Sequence, residues 1–178
     1  MVEFMAQVRD RTGYIIEQLD LGGGFGICYT QQDAALRYDS YMEKVSVVVK
    51  SCCERLNFPQ PFMMLEPGRS IVGPSGITLY TAGAIKEIPN VRTYAAVDGG
   101  MTDNPRYALY QSTYEAVVAN RMDQPKTATV TLAGKCCESG DLIGENMPLQ
   151  ACEPGDIIAV CATGAYNYSM SSNYNRLQ

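Results

Sequence analysis

The chain changes its grammar near residue 73, and that break constrains the fold more than any other feature of the sequence. Before it, the pattern is α/β. Val2, Met5 and Arg9 fall on a helical spacing that Gly13 can stop. Tyr14 to Leu21 then reads as a short buried strand ending at Gly22-Gly23-Gly24. A helix is predicted from about Asp39 to Leu56, with Tyr41, Val45, Val48, Val49, Cys52 and Leu56 inward and Ser40 with Glu43 as a capping box. The β-branched run within Val45–Val49 also tolerates a strand. Pro59 and Pro61 end that segment, and Phe62-Met63-Met64-Leu65 reads as a second buried, parallel strand. From Gly73 onward short apolar runs alternate with turn residues: Ile77–Tyr80, Tyr94–Val97, Thr127–Leu132 and Asp156–Cys161, separated by Gly99-Gly100, Asn104-Pro105, Ser139-Gly140 and Pro154-Gly155. That is all-β grammar. The expected class is therefore α+β, with a boundary between residues 1–72 and 73–178. Two α/β units cannot close a barrel or a stable open sheet unaided, so residues 1–72 read as the end of something larger.

Charge and residue usage narrow the chemistry. The net charge is −5 and no Lys/Arg cluster offers a footing for a nucleic-acid backbone. No apolar run approaches the roughly 20 residues of a membrane span. Met1-Val2-Glu3-Phe4 lacks the basic and apolar regions of a signal peptide, so a cytoplasmic location is expected. Histidine is absent, which removes the imidazole base of the usual serine and cysteine hydrolases and any mixed Cys/His metal site. The seven cysteines are odd in number and form no CxxC pair; they are expected to be mostly buried small apolar residues, with no metal.

Several short motifs can carry chemistry. Leu19-Asp20-Leu21-Gly22-Gly23-Gly24-Phe25-Gly26 sets a glycine run directly after a strand, where backbone N–H groups can approach an anion such as phosphate. Glu66-Pro67-Gly68-Arg69 follows the second strand at its carboxyl end, the end at which parallel α/β folds bind ligands. Cys136-Cys137-Glu138-Ser139-Gly140-Asp141 places a thiol beside a carboxylate. Asp98–Arg106 and Gly164–Met170 are rich in turn-formers and polar groups. Taken singly, each also reads as a surface turn.

Taken in order, the glycine run, Glu-Pro-Gly-Arg, Asp-Asn-Pro-Arg, Cys-Glu-Ser-Gly-Asp and Gly-Ala-Tyr resemble the diaminopimelate decarboxylases, alanine-racemase-like (fold III) pyridoxal-phosphate enzymes. The resemblance runs from Leu19 to Asn175. It implies the last strands and helices of a pyridoxal-phosphate-binding β/α barrel over 1–72, followed by a mainly antiparallel β-domain over 73–178, truncated at its end. It implies that Gly23, Gly24, Gly68 and Arg69 contact the cofactor phosphate, that Glu66 pairs with the pyridine nitrogen, and that Tyr166 lies against the cofactor and substrate. Arg69, Arg106 and Tyr110 would bind substrate, Cys137 would return a proton to the α-carbon, and Glu138 would accept the distal ammonium. In this family the last two act in the partner subunit's site, so a homodimer is implied. Related ornithine decarboxylases typically carry Asp after the Leu-Tyr of this segment; here Leu109-Tyr110 is followed by Gln111, which favours a diacid substrate.

The resemblance also sets an expectation of incompleteness. The family's Schiff-base lysine and the histidine that stacks on the pyridine ring lie on early barrel strands, and none of Lys44, Lys50, Lys86, Lys126 and Lys135 sits in a matching motif. The chain is thus expected to be a fragment, inactive alone, with oligomerisation or rearranged packing of residues 1–72. Two other roles stay open: decarboxylation of another basic amino acid or polyamine precursor, and a non-catalytic dimerisation domain.

Overall fold

Two units divide the chain in the computed structural model, which describes residues 1–34 and 37–177. One comprises Met1–Gly26 with Ala35–Gly68, the other Ile27–Ala34 with Arg69–Gln178.

The first unit begins with α1 (Val2–Thr12), whose Val2, Met5 and Ala6 recur at helical spacing and are all buried. Gly13 ends it in the left-handed region (φ 75), its N–H donating to the Arg9 carbonyl. The strand expected over Tyr14–Leu21 is confined to β1 (Gln18–Asp20), and only Leu19 of it is buried. The helix α2 runs Tyr38–Arg55 and buries Val49 and Cys53, with Val45, Cys52 and Leu56 packed beside them. Val48 and Tyr41, expected inward, face solvent, because the buried stripe is rotated toward Cys53. The Ser40–Glu43 capping box does not form: the N-cap is Arg37 without a side-chain cap bond, which leaves Ser40 inside the first turn. At the other end of α2, Arg9 donates to the Leu56 carbonyl (3.3 Å) and the Asn57 carbonyl (2.6 Å), occupying acceptors that a helix end leaves open.

Strand β2 (Phe62–Met64) pairs parallel to β1, with Gln18 opposite Phe62 and Asp20 opposite Met64. It was expected to be buried, yet Phe62 is 69% exposed. With two strands described in this sheet, no third strand and helix layer covers that face. Exposure of Tyr14, Ile15, Phe62 and Met64 is what a piece of a larger barrel would show. No helix among the described residues is long and apolar enough to cross a membrane.

The second unit opens, after the short helix α3 (Gly68–Val72), into a six-stranded sheet in the order β5-β8-β3-β4-β6-β7. The strands are β3 (Thr78–Ile88), β4 (Arg92–Val97), β5 (Ala116–Val118), β6 (Ala128–Ala133), β7 (Leu142–Leu149) and β8 (Ile157–Val160), with the short helix α4 (Arg106–Tyr110) between β4 and β5. Every pairing is antiparallel except β4 with β6. A register shift between Ala82 and Ile85 lets the long β3 pair with β8 through its first half and with β4 through its second. Beyond β7, the Gln150 side chain accepts the Val118 N–H of β5 (2.9 Å), tying the two ends of the sheet together. Val118, Leu132, Ile143, Leu149, Ile158 and Val160 fill the centre. Among the cysteines, expected to be mostly buried, only Cys53 is; Cys137 is exposed and the rest are half-buried, Cys52 on the flank of the buried stripe of α2 and the others in loops or at a strand end.

Replacing Arg9 with methionine keeps its aliphatic packing but strips α2 of its carbonyl partners. Arg9→Met should cost about 1–2 kcal/mol in urea denaturation of the chain; an unchanged midpoint would show those bonds to be replaceable by water.

Candidate functional site

In the first unit, parallel pairing of β1 and β2 brings the glycine run and the Glu-Pro-Gly-Arg turn side by side at the carboxyl ends of the strands. Leu21 donates to the Met64 carbonyl (3.0 Å) and Glu66 to the Gly22 carbonyl (2.9 Å). The approach leaves no room for a side chain at Gly23, where a Cβ would sit 2.4 Å from the Glu66 carbonyl oxygen. Gly22 and Gly24 hold φ of 70 and 82, and open space adjoins Gly24. The result is a backbone cradle beside the exposed carboxylate of Glu66. Gly68 closes the turn, donating to the Glu66 carbonyl (2.8 Å).

In the second unit, a cluster gathers around Arg106. The segment from Asp98, which taken singly also reads as a surface turn, leads into α4, with Pro105 at the N-cap and Arg106 as the first helical residue. Gln111 stops the helix in the left-handed region (φ 54), so its departure from the ornithine-type pattern falls on a helix cap. Arg106 is 7% exposed. Its guanidinium carbon lies 5.4 Å from the Tyr110 ring centre, 5.8 Å from that of Tyr166 and 5.9 Å from that of Tyr29. The hydrogen bonds it makes are long, to the Tyr29 hydroxyl and Ser112 Oγ at 3.4 Å, and its buried Nε has no partner. Among the described residues no carboxylate pairs with it. A cation so desolvated and unpaired is costly unless an anion arrives. Tyr166 enters the cluster with φ 65, a strained backbone for a residue with a side chain. Arg69 joins through Tyr29 as well, its guanidinium 5.9 Å from that ring.

Neighbouring groups hold α4 in place. Tyr107, one residue after Arg106, donates to Glu145 of β7 (2.6 Å), and Arg92 of β4 pairs with the other oxygen of the same carboxylate. Burial first, then Glu145, pushes the Tyr107 phenol up to about 12, while the bonds from Tyr107 and Arg92 hold Glu145 below the usual glutamate range.

The thiol–carboxylate loop is built separately. Asp141, 2% exposed, accepts the N–H of Met101 and of Cys136, both at 2.6 Å. A Cβ on Gly100 or Gly134 would come within 2.3 or 2.2 Å of the same carboxylate oxygen. These glycines are therefore what admits the buried carboxylate that folds the loop. Cys137 and Glu138 project from it, both exposed. Glu138 accepts the Gly140 N–H (3.1 Å) and the Tyr174 hydroxyl (3.2 Å), and those bonds lower its carboxyl pKa. Neither Cys137 nor Glu138 makes a described hydrogen bond, ion pair or ring contact with Arg106, Tyr110 or Tyr166. The structure thus joins Tyr110 and Tyr166 to Arg106, joins Arg69 to Arg106 through Tyr29, which the motif reading did not single out, and shows no such link for Cys137 and Glu138. Tyr29 is separated from the glycine run by only a few residues, and its aromatic-polar character was the available signal.

Comparison with known proteins gives the family. Residues 38–164 match the family model for the pyridoxal-dependent decarboxylase C-terminal sheet domain, and residues 1–73 match that for the pyridoxal binding domain of the same enzymes. The chain is 52% identical over 169 residues to the diaminopimelate decarboxylase of Bacillus subtilis, covering 95% of this chain and 38% of that enzyme. With the Synechocystis diaminopimelate decarboxylase the identity is 51% over 165 residues, 93% of this chain and 35% of the enzyme. The crystal structure of diaminopimelate decarboxylase from M. jannaschii superposes with a TM-score of 0.85 at 31% identity, over 97% of this chain and 38% of that one. A lysine/ornithine decarboxylase from Vibrio vulnificus shares the fold at 23% identity and a TM-score of 0.80. The chain spans about 35–40% of the length of its curated relatives.

Two outcomes follow from the loop. Gly134→Ala should lower stability by about 1–3 kcal/mol, read as a fall in the thermal midpoint, since the pinned Asp141 cannot retreat; an unchanged midpoint would mean that it can. Because the folded pKa of Glu138 is depressed, its tie to Gly140 and Tyr174 is intact above the ordinary glutamate range and lost as pH falls through the folded value. The Gly140 amide resonance should therefore titrate with a midpoint below 4.5, and a midpoint above it would contradict the assignment.

Proposed function

The chain belongs to the pyridoxal-dependent decarboxylases, and from that premise we propose that it forms part of an enzyme converting meso-diaminopimelate to L-lysine and CO2. In this reading residues 1–72 are the last part of the pyridoxal-phosphate-binding barrel and residues 73–178 the β-domain.

The observation that carries the substrate reading is the unpaired, tyrosine-walled Arg106 guanidinium. Diaminopimelate presents a carboxylate at its distal end, and a desolvated guanidinium is the group that recognises one. A substrate ending in a bare amine would leave that cation unpaired and place a second positive charge near it. This argues against the alternative of an ornithine- or polyamine-type substrate. Identity of 46–52% to enzymes named diaminopimelate decarboxylase points the same way.

The cradle in the first unit fits pyridoxal phosphate: the positive φ and open side of Gly24, the side-chain-free approach at Gly23, and a carboxylate at Glu66 together suit a phosphate and a ring nitrogen. When bound, the cofactor supplies the electron sink that takes up the pair released as the carboxylate leaves. The backbone at Gly23 and Gly24 holds the phosphate, Gly68 adjoins the cofactor, and Arg69 contacts both phosphate and substrate. Glu66 keeps the ring nitrogen protonated, which strengthens the sink. Tyr166 confines the ring and excludes water. Arg106 and Tyr110 hold the distal end of the substrate, Cys137 delivers a proton to the α-carbon, and Glu138 accepts the distal ammonium. The last pair acts in the partner subunit's site of a homodimer, a reading with which the lack of a described contact between them and Arg106, Tyr110 or Tyr166 is consistent. Seven unpaired thiols fit a reducing compartment, and we place the enzyme in the cytoplasm.

Two measurements test this reading. The chain alone, given pyridoxal phosphate and then borohydride, should show no stoichiometric adduct and release no lysine; an adduct with turnover would mean that one of its five lysines anchors the cofactor. In the enzyme that also carries the lysine-bearing half, Arg106→Met should raise KM for meso-diaminopimelate about 30-fold or more without lowering the thermal midpoint. Cys137→Ala should act on kcat, by about 100-fold. An unchanged KM in the Arg106 variant would remove the diacid reading, and full lysine formation without Cys137 would remove its proton role.

A further inference from the structure

We propose that Tyr29 is a substrate-positioning residue, whose hydroxyl orients Arg106 and Arg69 toward a common carboxylate and so sets the preference for a diacid. The inference deepens the proposed function and rests on the reading of Arg106 given there.

Tyr29 is held at its backbone and at its ring. Its own N–H donates to the Asp33 carboxylate (2.9 Å), which also accepts the Thr30 N–H (2.8 Å), fixing the turn that carries it. Those backbone donors keep the Asp33 carboxyl below its usual range. The ring packs edge-on against Tyr114, 5.3 Å between centroids at 82°, and Tyr114 belongs to the buried core. The Tyr29 side chain therefore projects from a rigid base.

What it presents is a single oxygen facing two cations. Arg106 Nη2 donates to the hydroxyl at 3.4 Å and Arg69 Nη1 at 3.5 Å, while both guanidinium carbons lie 5.9 Å from the ring centre. Bonds of that length orient more than they bind. With the oxygen accepting from both sides, the hydroxyl proton has no acceptor among the described residues and is free for an arriving anion. Two guanidiniums gathered at one phenol repel each other until that anion comes. The arrangement rewards a carboxylate and gives nothing to an amine.

The test separates Tyr29 from the reading beneath it. Tyr29→Phe keeps the ring on Tyr114 and removes only the hydroxyl. In the enzyme containing this chain, it should raise KM for meso-diaminopimelate about five- to tenfold while kcat moves less than about twofold. Inhibition by D-lysine, the same molecule without the distal carboxylate, should stay unchanged. Before cofactor is added, calorimetric affinity for pimelate, the diacid without its amines, should fall by a similar factor. Should Arg106→Met raise KM while Tyr29→Phe leaves it alone, Tyr29 is packing only and the proposal is overturned. A loss confined to kcat, or an equal loss toward D-lysine, overturns it too. If neither variant moves KM for the diacid, the Arg106 reading itself fails.

Discussion

A buried carboxylate, Asp141, joins the pieces from which the second unit builds its chemistry. Its two oxygens take the N–H of Met101 and of Cys136, one at the exit of β4 and the other at the exit of β6. The chain from Met101 leads directly into Asn104, fully buried, and Arg106. The chain from Cys136 leads into Cys137 and Glu138. A side chain this polar and this buried is held by its backbone donors, and the glycines at 100 and 134 let it come close enough. Tyr80 and Asp103 brace the same turn from the other side: the Tyr80 hydroxyl donates to Asp103, which also takes the Gly100 N–H (2.8 Å). Burial and Asp103 together push the Tyr80 phenol far up, so it remains a donor throughout the physiological range.

Against that well-satisfied junction, Arg106 is left deliberately poor in partners. Everything around it is fixed: Tyr107 through Glu145 to Arg92, Tyr29 through Asp33 and Tyr114, Tyr166 in a strained conformation. Three aromatic rings offset part of the desolvation of the guanidinium, by roughly 0.5–2 kcal/mol each, yet none carries a formal negative charge. A structure that spends packing and backbone strain to hold a cation without an anion is arranged around a ligand, not around its own stability.

How much of this could be read from residues alone depended on where the information sat. Periodicity placed α1 and the body of α2, and turn residues bracketed β4, β6 and β8 within a few positions, whereas of β3 only the first residues were read and its continuation to Ile88 was missed. Strand β7 was hidden because Gly144, Asn146 and Pro148 interrupt its apolar run, although the pairing with β6 tolerates them through two register shifts. The rotated stripe of α2 and the exposed Phe62 depend on what packs against them, which no local pattern encodes. Ordered motifs identified Arg69, Arg106 and Tyr166 as a group, but the meeting point of the two arginines, Tyr29, lay outside every motif. Its partnership with two arginines, 40 and 77 positions away, is a product of tertiary folding.

On the proposed function, the two units also divide the labour of recognition. In the first, the recognising atoms are mostly backbone: N–H groups in a glycine run whose geometry is indifferent to side chains and hence to substrate. In the second they are side chains on a rigid sheet, where one substitution alters charge and shape together. Cofactor chemistry common to many amino-acid decarboxylases can stay constant in the first unit while the second varies. The 23% identity with a lysine/ornithine decarboxylase, at nearly the same fold, shows how much sequence can vary within this architecture. A guanidinium walled by tyrosines is one setting of that variable surface. Because a buried polar group rejects the analogue that leaves it unpaired far more strongly than an apolar pocket rejects a misfit, on the proposed function it is the setting that would make a distal carboxylate a requirement instead of an option.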